Sequence, residues 1–306
     1  EAQWIWTPQT GRWINARRMP KESPELQLEH ARSLMLQGSY DKALDETDKF
    51  AKFYADSEFG DENQFLRAEI RKAQGRLKKA AEECQQLLAG YPDSDHYVEV
   101  IEMQYEIGDE LFEQGQARLN RRWWRPFKER PLKDATEVYE MVIDNRPFAQ
   151  EAAEAQYKVG LVQFTRKHYN MATFEYGRVI GDYPASEWVD DAMHGLAQCY
   201  YEMALPPEYD QEPSELAIEK IDDFMQSNPN DPRSEGFEER RSEMFENIAQ
   251  QRLNSAKFYE KRRNFKAAEI YYEVVVEQFA GTPAAAEAQV WLDARAARAT
   301  ERRENS

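Results

Sequence analysis

The sequence predicts an all-α, right-handed superhelical solenoid of about six stacked helical hairpins, preceded by a short aromatic hairpin or clip. Three observations predict it. Small residues recur at a fixed spacing with a proline behind them. Apolar residues recur three, four or five positions apart, as on one face of a helix. The composition joins 41% hydrophobic with 32% charged residues at a mean hydropathy of −0.88, which suits helices with one apolar stripe and one wet face.

The first element is the segment 1–21, where Trp4, Trp6 and Trp13 flank a stretch with Pro8 and Gly11. Two short aromatic runs around such a turn read as a small hairpin. A two-stranded hairpin is marginal alone in water, so its tryptophans are expected to lie on the following helices or on a partner. The solenoid is expected over 22–300. Its units carry an alanine followed twelve residues later by proline: Ala80 and Pro92, Ala135 and Pro147, Ala172 and Pro184, Ala217 and Pro229. Two more keep the spacing with alanine at the end, Ala43 and Ala55, Ala268 and Ala280. Twelve residues ahead of Ala43, Ala80, Ala172 and Ala268 stand Ala31, Ala68, Gly160 and Ala256, and Gly108 and Gly195 take that part ahead of two insertions. Antiparallel helices approach closely only where a small side chain faces the partner, and proline stops the second helix because it lacks the N–H of the ladder. The units fall at about 24–59, 60–96, 97–150, 151–187, 188–233 and 234–292, leaving a tail at 293–306. The third holds a basic insertion over 115–131 and the fifth an insertion over 206–213.

Other classes are disfavoured. A net charge of −17 repels phosphate and argues against general nucleic-acid binding. No apolar run is long enough to span a bilayer. His30, His96, His168 and His194 are scattered, no Cys-x-x-Cys or His-Glu-x-x-His occurs, and neither a phosphate-cradling loop nor a nucleophile elbow is present. No metal, cofactor or catalysis is therefore expected. Cys84 and Cys199 sit at mostly apolar helical places, where a buried free thiol is the commoner state.

The small–alanine–proline triplet resembles the tetratricopeptide repeat, whose period is about 34 residues. The order of units resembles BamD-type (YfiO/ComL) outer-membrane assembly lipoproteins. The residues that carry this are Tyr183-Pro-Ala-Ser186, Asp191-Ala192, Tyr209-Asp210-Gln211, and the run from Ala256 through Tyr259, Arg262, Phe265 and Ala268 to Thr282-Pro283 and Ala288. The likeness is best from about 150 to 292. It implies a non-catalytic, monomeric scaffold within a hetero-complex on the periplasmic face of the outer membrane. Such a scaffold holds the barrel-inserting subunit and receives unfolded outer-membrane proteins. It also implies a lipidated cysteine, which this chain lacks, so the anchor is expected upstream of Glu1. A different periplasmic adaptor, for envelope constriction or pilus assembly, is the alternative.

Three surfaces are candidates for binding. The first helices of such hairpins line a groove, with Phe65, Tyr105, Phe112, Tyr157, Phe164 and Tyr200 as the residues offered to an extended or helical peptide; the same rings could instead pack between hairpins. The basic insertion sets Arg118, Arg121, Arg122, Arg125, Lys128 and Arg130 against Glu129 alone, with Trp123, Trp124 and Phe127 among them. That mixture suits a lipid headgroup region or a partner, though it could also fold on its own acidic carrier, and single-stranded nucleic acid is the least favoured ligand. Finally, the resemblance places an arginine of the barrel-subunit contact at the Tyr-x-x-Arg position, matched by Arg262 after Tyr259.

Overall fold

The computed structural model of the chain describes residues 4–7, 12–15, 19–119, 129–147 and 150–304, and side chains within them apart from Ile5, Thr7, 12–15 and 302–304. Strand β1 (Trp4–Thr7) pairs antiparallel with β2 (Arg12–Asn15), Trp6 opposite Trp13 and Ile5 opposite Ile14. The aromatic segment is thus a hairpin. The remaining elements among the described residues are helices, paired in chain order. They are α1 (Pro24–Leu36) with α2 (Tyr40–Phe53), α3 (Gly60–Ala73) with α4 (Leu77–Gly90), and α5 (Tyr97–Leu119) with α6 (Arg130–Asn145). After them come α7 (Gln150–Thr165) with α8 (Tyr169–Asp182), α9 (Val189–Met203) with α10 (Glu212–Ser227), and α11 (Arg233–Lys261) with α12 (Phe265–Gln278). A last helix, α13 (Pro283–Glu304), follows.

Helix ends follow from the sequence. Pro92, Pro147, Pro184 and Pro229 each stand two residues past the end of α4, α6, α8 and α10, where a residue without an N–H and with a restricted predecessor ends the ladder. The turn inside four hairpins is one motif. At Gly38, Gly75, Lys167 and Arg263 the backbone is left-handed, with φ of 71°, 69°, 61° and 60°. In each, the N–H of that residue bonds three residues back and the next N–H bonds five back, as in Ser39 N to Leu34 O and Asn264 N to Tyr259 O, both of about 3 Å. This double closure satisfies the orphan carbonyls of the first helix.

Contacts divide the chain into two units, Glu1–Val162 and Gln163–Ser306, with the division falling inside α7. The first unit has two apolar clusters. Leu28, Ala31, Ala43 and Phe50 meet Leu66 and Ile70 in one. The other joins Ala68, Ala80, Cys84, Ile107, Leu132, Tyr139 and Val159 across α3 to α7. Each fully buried large apolar side chain contributes roughly 1.5–3 kcal/mol. In the second unit, Ala197, Ile221, Phe224 and Phe237 form one cluster. Leu253, Ala256, Ala268, Tyr272, Val275 and Ala288 join α11, α12 and α13 in another.

Gly108 faces the partner helix of its own hairpin, as the spacing required, whereas Gly195 on α9 faces α8 of the preceding hairpin. A Cβ on Gly108 would lie 2.6 Å from the Tyr139 ring, and one on Gly195 would lie 2.7 Å from the Tyr176 ring. The basic insertion is shorter than expected: Gly115–Leu119 continues α5, and Gly115 packs so tightly on Leu132 that a Cβ there would overlap its side chain. The helix continues because no proline interrupts it before residue 120 and the close packing of Gly115 on Leu132 offsets the cost of a glycine inside the helix. The fifth-unit insertion likewise ends early, since Glu212 and Pro213 already open α10. Proline is at home in a first helical turn. Cys84 and Cys199 are both buried free thiols, their pKa pushed up to about 12 by burial.

Candidate functional site

Successive first helices of the hairpins are joined side by side by polar pairs. Arg32 on α1 meets Glu62 on α3 at 2.7 Å, Lys72 on α3 meets Glu106 on α5, and Lys158 on α7 meets Asp109 on α5 at 2.9 Å. In the second unit the Tyr201 hydroxyl donates to Glu243 at 2.8 Å, and Lys257 meets Glu287 at 2.6 Å, linking α9 to α11 and α11 to α13. Within each unit the face of these helices is therefore ionic, and its aromatic rings carry cations. Lys158 Nζ lies 5.5 Å from the centre of the Tyr105 ring, and the Arg240 guanidinium 4.9 Å from that of Tyr201. Such pairs are worth about 0.5–1 kcal/mol each at partly exposed sites. Half-buried Glu69 belongs to the same row; burial raises its carboxyl pKa and Glu99 adds to that, against Arg32, His96 and Lys72.

Two of the six residues expected to offer rings to a peptide are core instead. Phe65 is 5% exposed and stacks on His96 at 4.4 Å, and Phe112 is 9% exposed within the larger cluster of the first unit. Both belong to the apolar cluster of the first unit, where burying a ring gains more than leaving it in the groove. Tyr105 is half-buried beside Tyr139 at 5.9 Å; burial and the carboxylates of Glu154 and Asp109 hold its phenol well above the ordinary range. Tyr157 and Tyr200 are half-buried on α7 and α9, and half-buried Phe164 tilts against Tyr169 at 5.5 Å. These four retain accessible ring surface.

Arg121, Arg122, Trp123, Trp124, Arg125 and Phe127 lie outside the described residues, as does Lys128; Arg118 is in the last turn of α5 and Arg130 begins α6. Arg262 is exposed at the C-cap of α11, one residue before the left-handed Arg263, and its guanidinium lies 4.4 Å from the centre of the exposed Phe258 ring. Exposed Lys261, Arg263, Lys266 and Phe265 surround it in sequence, so this turn presents cations and rings together. Trp4 and Trp6 are 57% and 48% exposed.

Sequence reasoning missed the polar scaffold beneath this face. Gln27 donates to the backbone and carboxylate of Glu46, and Gln64 does the same to Glu83, 19 residues on in both cases. Arg67 bridges Glu83 to Asp48 and Thr47. Gln85, Gln104 and Asn145 form a further amide cluster at 3.0–3.2 Å. The recurring glutamine followed at a fixed distance by glutamate was the available signal. Among the described residues, no group of three His, Cys, Asp or Glu side chains is placed to hold a metal, and no helix is long and apolar enough to cross a membrane.

Paired helices with small residues at the crossings and left-handed closures between them define a tetratricopeptide-repeat protein, and the sequence profile of that repeat matches residues 62–94. The profile of the YfiO family, described as outer membrane lipoprotein, matches residues 104–304. The chain belongs to that family. No curated protein matches the chain. Among solved structures, a thermophilic tetratricopeptide-repeat protein of Thermus thermophilus is 18% identical, over 72% of this chain and 98% of that one, with a TM-score of 0.33. The C-terminal part of a repeat-containing protein from Cytophaga hutchinsonii is 14% identical over 88% of each chain, with a TM-score of 0.36. PilW, a type IV pilus biogenesis factor, is 16% identical over 89% of this chain and 99% of that one, at 0.31.

Proposed function

We propose that this chain is a non-catalytic scaffold of the outer-membrane β-barrel assembly machinery, holding the barrel-inserting subunit and receiving segments of unfolded outer-membrane proteins from the periplasmic side. The observation that carries this reading is the family profile, which runs from within α5 through α13 and so takes in most of the hairpins. The ionic face of the first helices supports it, because paired side chains with half-exposed rings suit reversible polypeptide binding better than a closed catalytic pocket does. Tyr105, Tyr157, Phe164 and Tyr200 are the rings offered to client segments. The turn at Arg262 is the surface for the barrel-inserting subunit, where a guanidinium braced on Phe258 is held ready for a carboxylate. The basic stretch around Trp123 and Trp124 is the surface for the membrane or a further partner.

The test is capture from detergent-solubilised native membranes on the immobilised chain, read by mass spectrometry. Recovery of the barrel-inserting subunit, reduced about tenfold by Arg262→Glu, is expected, since reversing one interfacial charge of this kind costs on the order of 1.4 kcal/mol or more. Recovery of no barrel-inserting subunit by the unaltered chain would overturn the reading.

A further inference from the structure

The first hairpin carries a hollow of about 970 Å³ that this function does not use. Lys21, Lys42 and Lys52 stand around it, with Leu34, Met19 and Phe53 supplying apolar surface. Its carboxylates are mostly spent on other partners. Glu46 accepts from the Gln27 amide at 2.6 Å and from Lys49 at 2.7 Å, and Asp48 is held by Arg67. Among the described residues this leaves Asp45 against Lys21, Lys42 and Lys52. In a chain of net charge −17, that is a local reversal of sign.

The hollow is also built. The segment leading into α1 is pinned at Lys21 on both sides: its N–H donates to Oε1 of the fully buried Gln27 at 2.8 Å, and its carbonyl accepts from the Tyr54 hydroxyl. Gln27 in turn grips the Glu46 backbone at 3.0 Å. The backbone carrying Lys21 is therefore fixed over α2, and the ammonium groups of α2 follow its turns, with Lys52 Nζ 5.2 Å from the centre of the Phe53 ring. Ordering already in place before a ligand arrives lowers the cost of binding it.

We propose that this hollow binds an acidic polypeptide segment that brings an apolar side chain between its carboxylates. The ammonium groups take the carboxylates, and Phe53, Leu34 and Met19 take the apolar side chain. A bare phosphate has nothing to place on the apolar surface, and a flat bilayer does not enter a concave site. The hollow lies outside residues 104–304, so its failure leaves the assembly reading standing.

The test uses the full chain and a fluorescent peptide in which a Leu-Phe pair is flanked on both sides by Asp and Glu. Saturable binding is expected, at least about tenfold tighter than for the same peptide with Asn and Gln, and weakening as salt is raised. Exchanging the exposed Lys42 and Lys52 together for Glu should abolish it with the helical spectrum unchanged, while Phe53→Ser should weaken both peptides alike. Equal affinity for acidic and amide peptides, indifference to the lysine exchange, or capture by phosphatidylglycerol vesicles in place of the peptide would overturn the proposal.

Discussion

In residues 1–162 the amides of Gln27, Gln64 and Gln104 cross-link the hairpins beside ring contacts such as Phe65 on His96, whereas in residues 163–306 ring contacts carry more of the cross-linking between the described helices. Gln27, Gln64 and Gln104 each reach from a first helix to the second helix of their own or the preceding hairpin. In the second unit, His194 stacks on Phe237 at 4.9 Å and meets the edge of Phe224 at 5.5 Å, with Phe224 and Phe237 perpendicular at 5.4 Å. Tyr272 lies on Trp291 at 4.2 Å, and both donate to Glu260, at 2.9 and 2.8 Å. Amides fix register through directed bonds at modest net gain, about 1 kcal/mol each. Rings bury more area and pack with less directional demand. One fold is thus held by two chemistries, and the two should fail differently.

The largest expected difference comes from removing a ring. Phe224→Ala deletes a fully buried side chain touching His194 and Phe237, and should cost the second unit about 3–5 kcal/mol. In stacked hairpins each layer depends on its neighbours, so hydrogen exchange should accelerate across α9, α10 and α11 while α1 to α4 keep their protection. Equal loss of protection in α1 to α4 would show that the two units do not fail separately.

Next in size is overfilling a crossing. Gly108→Val puts new atoms where a Cβ alone would be 2.6 Å from the Tyr139 ring, whose hydroxyl is bonded to Asp109 at 2.5 Å and so resists moving. A loss of about 1–3 kcal/mol in urea denaturation is expected. Gly195→Val should cost as much against Tyr176 in the other unit. A much smaller effect at either place would mean that its ring can swing aside.

Acid should divide the units more selectively. Burial, with Arg233 and Arg240 close by, pushes His194 down to about 4 from 6.5, against the smaller opposing influence of Asp231 and Asp191. The folded state therefore prefers neutral imidazole. Its full contribution holds above about pH 6.5 and is lost as pH falls toward 4, because the unfolded chain takes the proton first. Amides do not titrate in this range. Protection of α9 to α11 should therefore fall relative to that of α3 to α6 between pH 6.5 and pH 4. His194→Phe should flatten that pH dependence. An unchanged slope in the variant would move the cause to other groups.

How much of this was readable from residues alone depends on what each residue signals. Pro92, Pro147, Pro184 and Pro229 state a local fact, that the backbone ladder ends, and each lies where the helix stops. Gly108 and Gly195 announce a close approach, and a tyrosine fills each. For Phe65 and Phe112 the sequence left groove and packing between hairpins both open, because helical periodicity says that a ring faces something apolar without saying which, and burial decides for packing. Gln27 and Gln64 look like surface residues by type, since glutamine is mostly exposed, and only their partners Glu46 and Glu83 reveal them. The hollow on the first hairpin was invisible for the same reason: its lysines gain meaning from carboxylates already occupied elsewhere.

The smallest effect sharpens the comparison at the turns. Both left-handed closures described in the first unit use glycine, Gly38 and Gly75, while those in the second use Lys167 and Arg263. A side chain in this conformation crowds its own carbonyl, which glycine avoids. Lys167→Gly and Arg263→Gly should each stabilise the second unit by about 0.5–1 kcal/mol, after allowing for the greater freedom glycine gives the unfolded chain. Gly38→Ala and Gly75→Ala should destabilise the first unit by about 1 kcal/mol, since neither site offers a new contact within 4 Å to offset the strain. Arg263 lies beside Arg262, so the same variant separates fold from binding. If Arg263→Gly raises stability yet lowers capture of the barrel-inserting subunit, that cation was kept at a strained position for its contact with a partner. If capture is untouched, the strain serves nothing at this surface.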